Sequence, residues 1–262
     1  MKNILQAIQV EILKARRSKM PILTLLGFSI APFAGGFFMI ILKDPELAKQ
    51  MGMISTKAQI VAGVADWPTY LGMLSQATAI GGVILFSFVA SWVFGREYSD
   101  RTIKNLLALP TPRHTIVLAK FVLVLTWSGI LVVVIYLIGL GVGAAINLPP
   151  APQEIFVGGT YTMLITAILT IALATPIAFF ASAGHGYLPP MGFAIFTVIL
   201  AQLIAAAGWG EYFPWSIPAL YAGVAGPVYA DLGLISYLIV LGTSVIGAIG
   251  TFIWWQLADQ TY

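Results

Sequence analysis

Arg96, Glu97, Asp100, Arg101, Lys104 and Arg113 form a charged island between two long apolar runs, in a chain of 262 residues that is only 9% charged. Covalent chemistry is not what this spacing offers. The chain holds no G-x-x-x-x-G-K-[ST] phosphate loop, no H-E-x-x-H pair and no nucleophile, base and acid set within its apolar segments. Cysteine is absent, which removes disulfides, thiol catalysis and thiolate metal sites. Met51 and Met53 have no His or Cys beside them to complete a copper(I) site, and read as interfacial packing. His185 has no carboxylate or second His near it in sequence and reads as a surface side chain. What the island can do is meet something aqueous, a solvent layer or a protein.

A short amphipathic helix lies inside it. Ser99 or Asp100 is placed to cap its start, Ile103, Leu106 and Leu107 share one face, and Pro110 ends it. Thr111 then caps the next helix, with Pro112 at its first position. A membrane helix thus exits, makes about two turns along the surface, and re-enters. Two readings follow. In one, the loop is a polar turn whose Lys and Arg set topology and whose leucines rest on headgroups. In the other it is a docking helix, with its three apolar side chains entering a groove on a soluble partner.

Read as Glu97, Thr102, Leu106-Leu107, Pro110, Arg113 and Lys120, the stretch resembles the signature of ABC-2-type permeases, the membrane subunits of ABC exporters. The run Phe213-Pro214-Trp215-Ser216-Ile217-Pro218 is similar to the stretch before the last helix of bacterial members. One position departs: a glycine commonly precedes the threonine in this family, and Arg101 stands here. The resemblance implies that Arg96, Glu97, Asp100, Arg101, Thr102, Ile103, Leu106, Leu107, Pro110, Arg113 and Lys120 form the ATPase-coupling segment. Glu97 is expected to pair with Arg16 or Arg17 of the N-terminal helix. The family also implies a second permease subunit, identical or different, and two ATPase subunits that carry the ATP and Mg, so that this chain is neither an enzyme nor a holder of cofactors. Its second and fifth helices tend to line the central path, which points to Ser75, Gln76, Thr78, Thr197 and Gln202. So few polar groups suit an amphipathic or hydrophobic cargo, peptide or lipid-like. The function implied is the permease subunit of an ATP-driven exporter.

The elements that must position these residues are membrane helices. Hydrophobic residues make up 59% of the chain and mean hydropathy is +0.94, against roughly 45–50% apolar usage in soluble domains. The chain reads as an all-α integral membrane protein, one transmembrane domain over residues 1–262. Six spans are expected at about 21–42, 69–94, 115–146, 155–181, 191–207 and 232–255. Residues 1–20 read as an interfacial helix and uncleaved anchor. Leu5, Ile8, Ile12 and Ala15 form its stripe, and Lys14, Arg16, Arg17 and Lys19 gather at its end. Gly139, Gly141 and Gly143 would admit a close neighbour or simply fill space. Thr162, Thr166 and Thr170 would line a polar path or bond to their own helix. Residues 208–231 read as an aromatic interfacial loop with a short re-entrant helix over 217–225.

Charge gives the orientation. Lys2, Lys14, Arg16, Arg17, Lys19, Arg96, Arg101, Lys104, Arg113 and Lys120, ten of the 13 basic residues, fall on one side with the termini, against Lys43, Lys49 and Lys57 on the other. Both termini and the island are therefore expected in the cytoplasm of a prokaryotic cell. The same clustering explains a pI of about 9.1 without nucleic acid. Tryptophans are expected to mark the two edges, with Trp254-Trp255 an anchor. No Lys or Arg is expected deep within a span, and no Asp or Glu within one at all, which argues against an ion-coupled carrier. A carrier with broken helices and a non-transporting scaffold are the alternatives.

Overall fold

The computed structural model describes residues 2–44, 64–108, 110–224, 226 and 232–257. Met51 and Met53 lie outside them, as does the end of the 208–231 loop. Among the described residues the regular elements are all helical. They are α1 (Lys2–Arg16), α2 (Met20–Lys43), α3 (Trp67–Ser99), α4 (Ile103–Leu107), α5 (Arg113–Ala145), α6 (Gln153–Ala172), α7 (Ala174–Ala183), α8 (Leu188–Ala206), a 3-10 turn (Gly210–Tyr212), α9 (Ile217–Tyr221) and α10 (Leu234–Leu257). Six of these stretches, with α6 and α7 counted as one, are long and apolar enough to cross a membrane. The six expected spans are thus present.

α3 is the axis of the molecule and packs against α2, α5, α6, α7 and α8. Asp66 starts it: its carboxylate accepts the Thr69 amide at 3.0 Å, with Pro68 in the first turn. α5 approaches α3 through two of its three glycines. A Cβ at Gly143 would lie 2.5 Å from the Trp67 ring and one at Gly139 would run into Leu74, whereas Gly141 faces open space. Small residues therefore set the separation of these two helices.

The fourth span is not one straight helix. It breaks at Leu173 into α6 and α7 because Pro176 has no N–H for the carbonyl of Ala172 and its ring crowds that position. On α6, Thr162 and Thr170 donate to carbonyls four residues back, so these hydroxyls serve their own helix; Thr166 is buried without a partner. The expected 217–225 helix is shorter, ending at Tyr221, and Ile217 packs with Leu169, Leu173 and Val240.

Trp255 is no lipid anchor. It is 1% exposed and its indole donates to Ser182 Oγ at 2.9 Å, which ties α10 to α7. His185 is exposed but not isolated, since its ring lies tilted against those of Tyr98 and Trp254, 4.9 and 6.2 Å between centroids. Helix ends gather in two sets. The starts of α2, α5 and α8 meet the ends of α3, α7 and α10 on the island's side, while Lys43 at the end of α2 donates to Ile146 and Asn147 at the end of α5 on the other. Cations at these carbonyl ends offset the partial negative charge of the helix termini.

Candidate functional site

The island begins with a tight stop. The amide of Thr102 reaches the carbonyl of Glu97 at 2.8 Å and that of Arg101 reaches Tyr98 at 3.1 Å, a Schellman motif that places Arg101 at φ 56. Glycine suits that left-handed position; arginine holds it at a cost of about 1–2 kcal/mol. The same device ends α5 at Asn147 and α7 at His185, φ 54 and 52. Neither Ser99 nor Asp100 caps α4. Asp100 is the C-cap of α3, Thr102 precedes α4 without a side-chain cap bond, and Pro112 rather than Thr111 precedes α5.

α4 is five residues, between Thr102 and Ala108. Its three apolar side chains are not equally available. Ile103 is 4% exposed within this chain, and Leu106 and Leu107 pack half-buried against the same core. The outward face carries Arg101, Thr102, Lys104, Asn105 and Ala108, with Pro110 exposed beyond it. Leu106 also lines a cavity of about 250 Å³ with Val10, Glu11, Thr111 and Ile116, between α1 and the start of α5.

Behind the island lies a buried charge cluster. Lys120 is wholly buried, and its Nζ sits 2.8 Å from both oxygens of Glu97, 2.7 Å from the Val93 carbonyl and 3.4 Å from Glu11. Lys14 Nζ joins Glu11 at 2.6 Å and Glu97 at 2.9 Å. Phe94 and Trp255 each present a ring 5.9 Å from Lys120 Nζ. Two carboxylates and two ammoniums cancel, which makes burial affordable where a lone charge would not be. Burial alone would lower the Lys14 ammonium, but Glu11 and Glu97 outweigh it and hold it above its ordinary value.

Two expectations change here. Glu97 pairs with Lys14 and Lys120, not with Arg16 or Arg17, which point outward and are exposed. Lys120 lies inside the third span, in the second turn of α5, so a basic residue does sit within a membrane helix. Sequence spacing put Lys14 on the same helix as the arginines; the turn that faces α3 could be chosen only once α1 was docked on α5.

Two further island residues, Arg96 and Arg113, are tied down as well. Arg96 donates to Asp100 at 3.1 Å and to the Lys14 carbonyl at 3.4 Å. Arg113 donates to the carbonyls of Trp255 and Gln256 at 3.2 and 3.3 Å, closing the end of α10 onto the start of α5. The α7–α8 turn presses on the end of α3: a Cβ at Gly95 would lie 2.7 Å from the carbonyl oxygen of Gly186. Among the described residues no cluster of three His, Cys, Asp or Glu is arranged to hold a metal ion.

Residues 7–201 match the ABC-2 family transporter protein family. The chain belongs to that family. Along 179 residues it is 27% identical to the bacitracin transport permease protein BCRB of Bacillus licheniformis, covering 68% of this chain and 85% of that one. It is accordingly a multi-pass membrane permease of an ABC transporter, a class of subunit that works with a separate ATPase.

Within this permease the five polar residues expected on the path are not brought together. Ser75, Thr78 and Thr197 are buried, and each donates to a carbonyl of its own helix. Gln76 faces a shallow hollow with Phe28 and Met73. Gln202 lines a cavity of about 340 Å³ between α3, α8 and α9, with Ala79, Val83, Ala201, Trp215 and Ser216. Trp215 and Ser216 carry no periodic signal, and only the resemblance of the Phe213–Pro218 run pointed toward them.

Proposed function

We propose that the chain is the permease subunit of an ATP-driven exporter, and that the island is where the ATPase docks and acts. The observation that carries this reading is the bond between Glu97 and Lys120. It clamps the helix that enters the island to the helix that leaves it, and Lys14 adds α1 to the same body. A push on α4 then reaches α3 and α5 together, and through Arg113 the end of α10. ATP-driven closure of a partner moves membrane helices only through a contact that differs between states.

α4 meets the ATPase with its polar outward face, Arg101, Thr102, Lys104 and Asn105, with Leu106 and Leu107 at its edge. Glu97 and Lys120 stand behind it as positioning residues, and Ile103 fastens it to the bundle. Two ATPase copies carry the ATP and Mg, and a second permease subunit faces this one. Both termini and the island lie in the cytoplasm of a prokaryotic cell, by the distribution of Lys and Arg. The cargo path runs past Gln202 and its apolar cavity, with Ser75, Gln76, Thr78 and Thr197 on the same two helices. An apolar lining of this kind takes an amphipathic or hydrophobic cargo. The relative named for bacitracin transport makes bacitracin the first cargo to test.

The test is copurification of the ATPase with the Arg101→Glu/Lys104→Glu variant. Both side chains are exposed, so the permease folds and inserts. Loss of the ATPase supports docking at α4; full retention would place the docking surface elsewhere.

A further inference from the structure

α1 has two faces of opposite character. On the inner one Glu11 and Ala15 are buried, and Glu11 is bonded to Lys14 and Lys120. Glu11 is the only acidic residue in α1. Its withdrawal leaves the outer face with no carboxylate of the helix's own. That face carries Leu5, Ile12 and Leu13, which are 58%, 41% and 47% exposed, together with exposed Arg16 and Arg17, and Lys19 follows in the short link to α2. Ile22, Leu23 and Leu26 continue the exposed apolar surface into the first span.

Leucine and isoleucine interleaved with arginine, and continuous with a membrane helix, match a bilayer surface: the apolar side chains enter the acyl boundary while the cations stay at headgroup depth. A soluble partner would have to reach past the headgroups to the first turn of α2. We propose that the outer face of α1, the bilayer side of the interfacial helix expected from the sequence, selects anionic phospholipids by gathering their headgroups around Arg16, Arg17 and Lys19. Each such cation favours an anionic over a neutral headgroup by about fivefold. Because the inner face of the same helix holds Glu97 through Lys14, the lipid charge also bears on the end of α3. The lipid contact itself does not depend on where the ATPase docks.

The absence of cysteine makes a direct test simple. Full-length protein with Gln9→Cys, an exposed site on the outer face, carries a bimane fluorophore and is placed in mixed phosphatidylcholine and phosphatidylglycerol bilayers. In parallel samples, one lipid or the other is brominated on its acyl chains. Brominated phosphatidylglycerol should quench several-fold more than brominated phosphatidylcholine at equal content, and added salt should narrow the gap. The R16Q/R17Q/K19Q variant should bring the two to parity, and R16K/R17K/K19R should restore the difference. Equal quenching in the unaltered background would overturn anionic selection. Quenching by neither lipid, or protection only when the ATPase is present, would place the face against water or protein and overturn the proposal outright.

Discussion

Lys120 and Glu97, 23 residues apart on α5 and α3, meet with Nζ 2.8 Å from each carboxylate oxygen, and neither side chain is open to solvent. Such a pair is expensive to break from one side. Lys120→Met leaves Glu97 buried with Lys14 alone and should cost about 3 kcal/mol or more. Adding Glu97→Gln removes the stranded charge and should recover much of that loss, a coupling that thermal unfolding of the four proteins in detergent would measure.

Lys14 gives the cluster its pH dependence. Its ammonium is held above its ordinary 10.5, so its contribution is complete below that value and is lost as pH rises through the elevated one. The stability gap between the unaltered protein and Lys14→Met should therefore be constant across neutral pH and close only in strong alkali. A gap that closes at neutral pH would show that Lys14 does not hold Glu11 and Glu97 as described.

Arg101 occupies a backbone position that glycine fits without strain. Arg101→Gly should stabilise the solubilised permease by about 1 kcal/mol, read as a rise in its melting midpoint. The same change removes an exposed cation from the proposed docking face, so weaker ATPase copurification should accompany the higher melting point. A lower melting point would mean that the Arg101 side chain outweighs the strain.

Much of this was legible in the sequence. Apolar run length is a local property and marks the six spans, whereas the run Gly139, Gly141 and Gly143 leaves a close neighbour and simple space-filling equally open; only the packing shows that Gly139 and Gly143 admit α3 and that Gly141 does not. The break at Leu173 is equally local, written in Pro176, but membrane helices so often absorb a proline that the residue alone does not mark a break. The charge cluster was not legible in full. Glu97 stands out as a charge beside an apolar run and Lys120 belongs to the family signature, but nothing in the sequence pairs the two, and Lys14 reads only as a topology signal. Only the docking of α1 on α5 and α3 turns them inward, and no periodicity within one helix carries that information.

Gly95 lets the α7–α8 turn close down on the end of α3. The obstacle to a side chain there is backbone, which cannot rotate aside. Gly95→Ala should push the turn off α3, weaken the ring contact of His185 with Tyr98 and destabilise the protein by about 1–3 kcal/mol. Gly141→Ala, facing open space on α5, should be close to neutral in the same thermal assay.

On the proposed arrangement the ATPase sits on the outward face of α4. A single cysteine at Asn105, exposed on that face, tests it in the otherwise cysteine-free chain. A second at Gln153, the first residue of α6 on the opposite side of the bundle, is the control. Short-range cross-linking in native membranes should join Asn105→Cys to the ATPase subunit and leave Gln153→Cys unlinked. A link at Gln153 and none at Asn105 would place the ATPase on the opposite side of the bundle and rule out docking at α4.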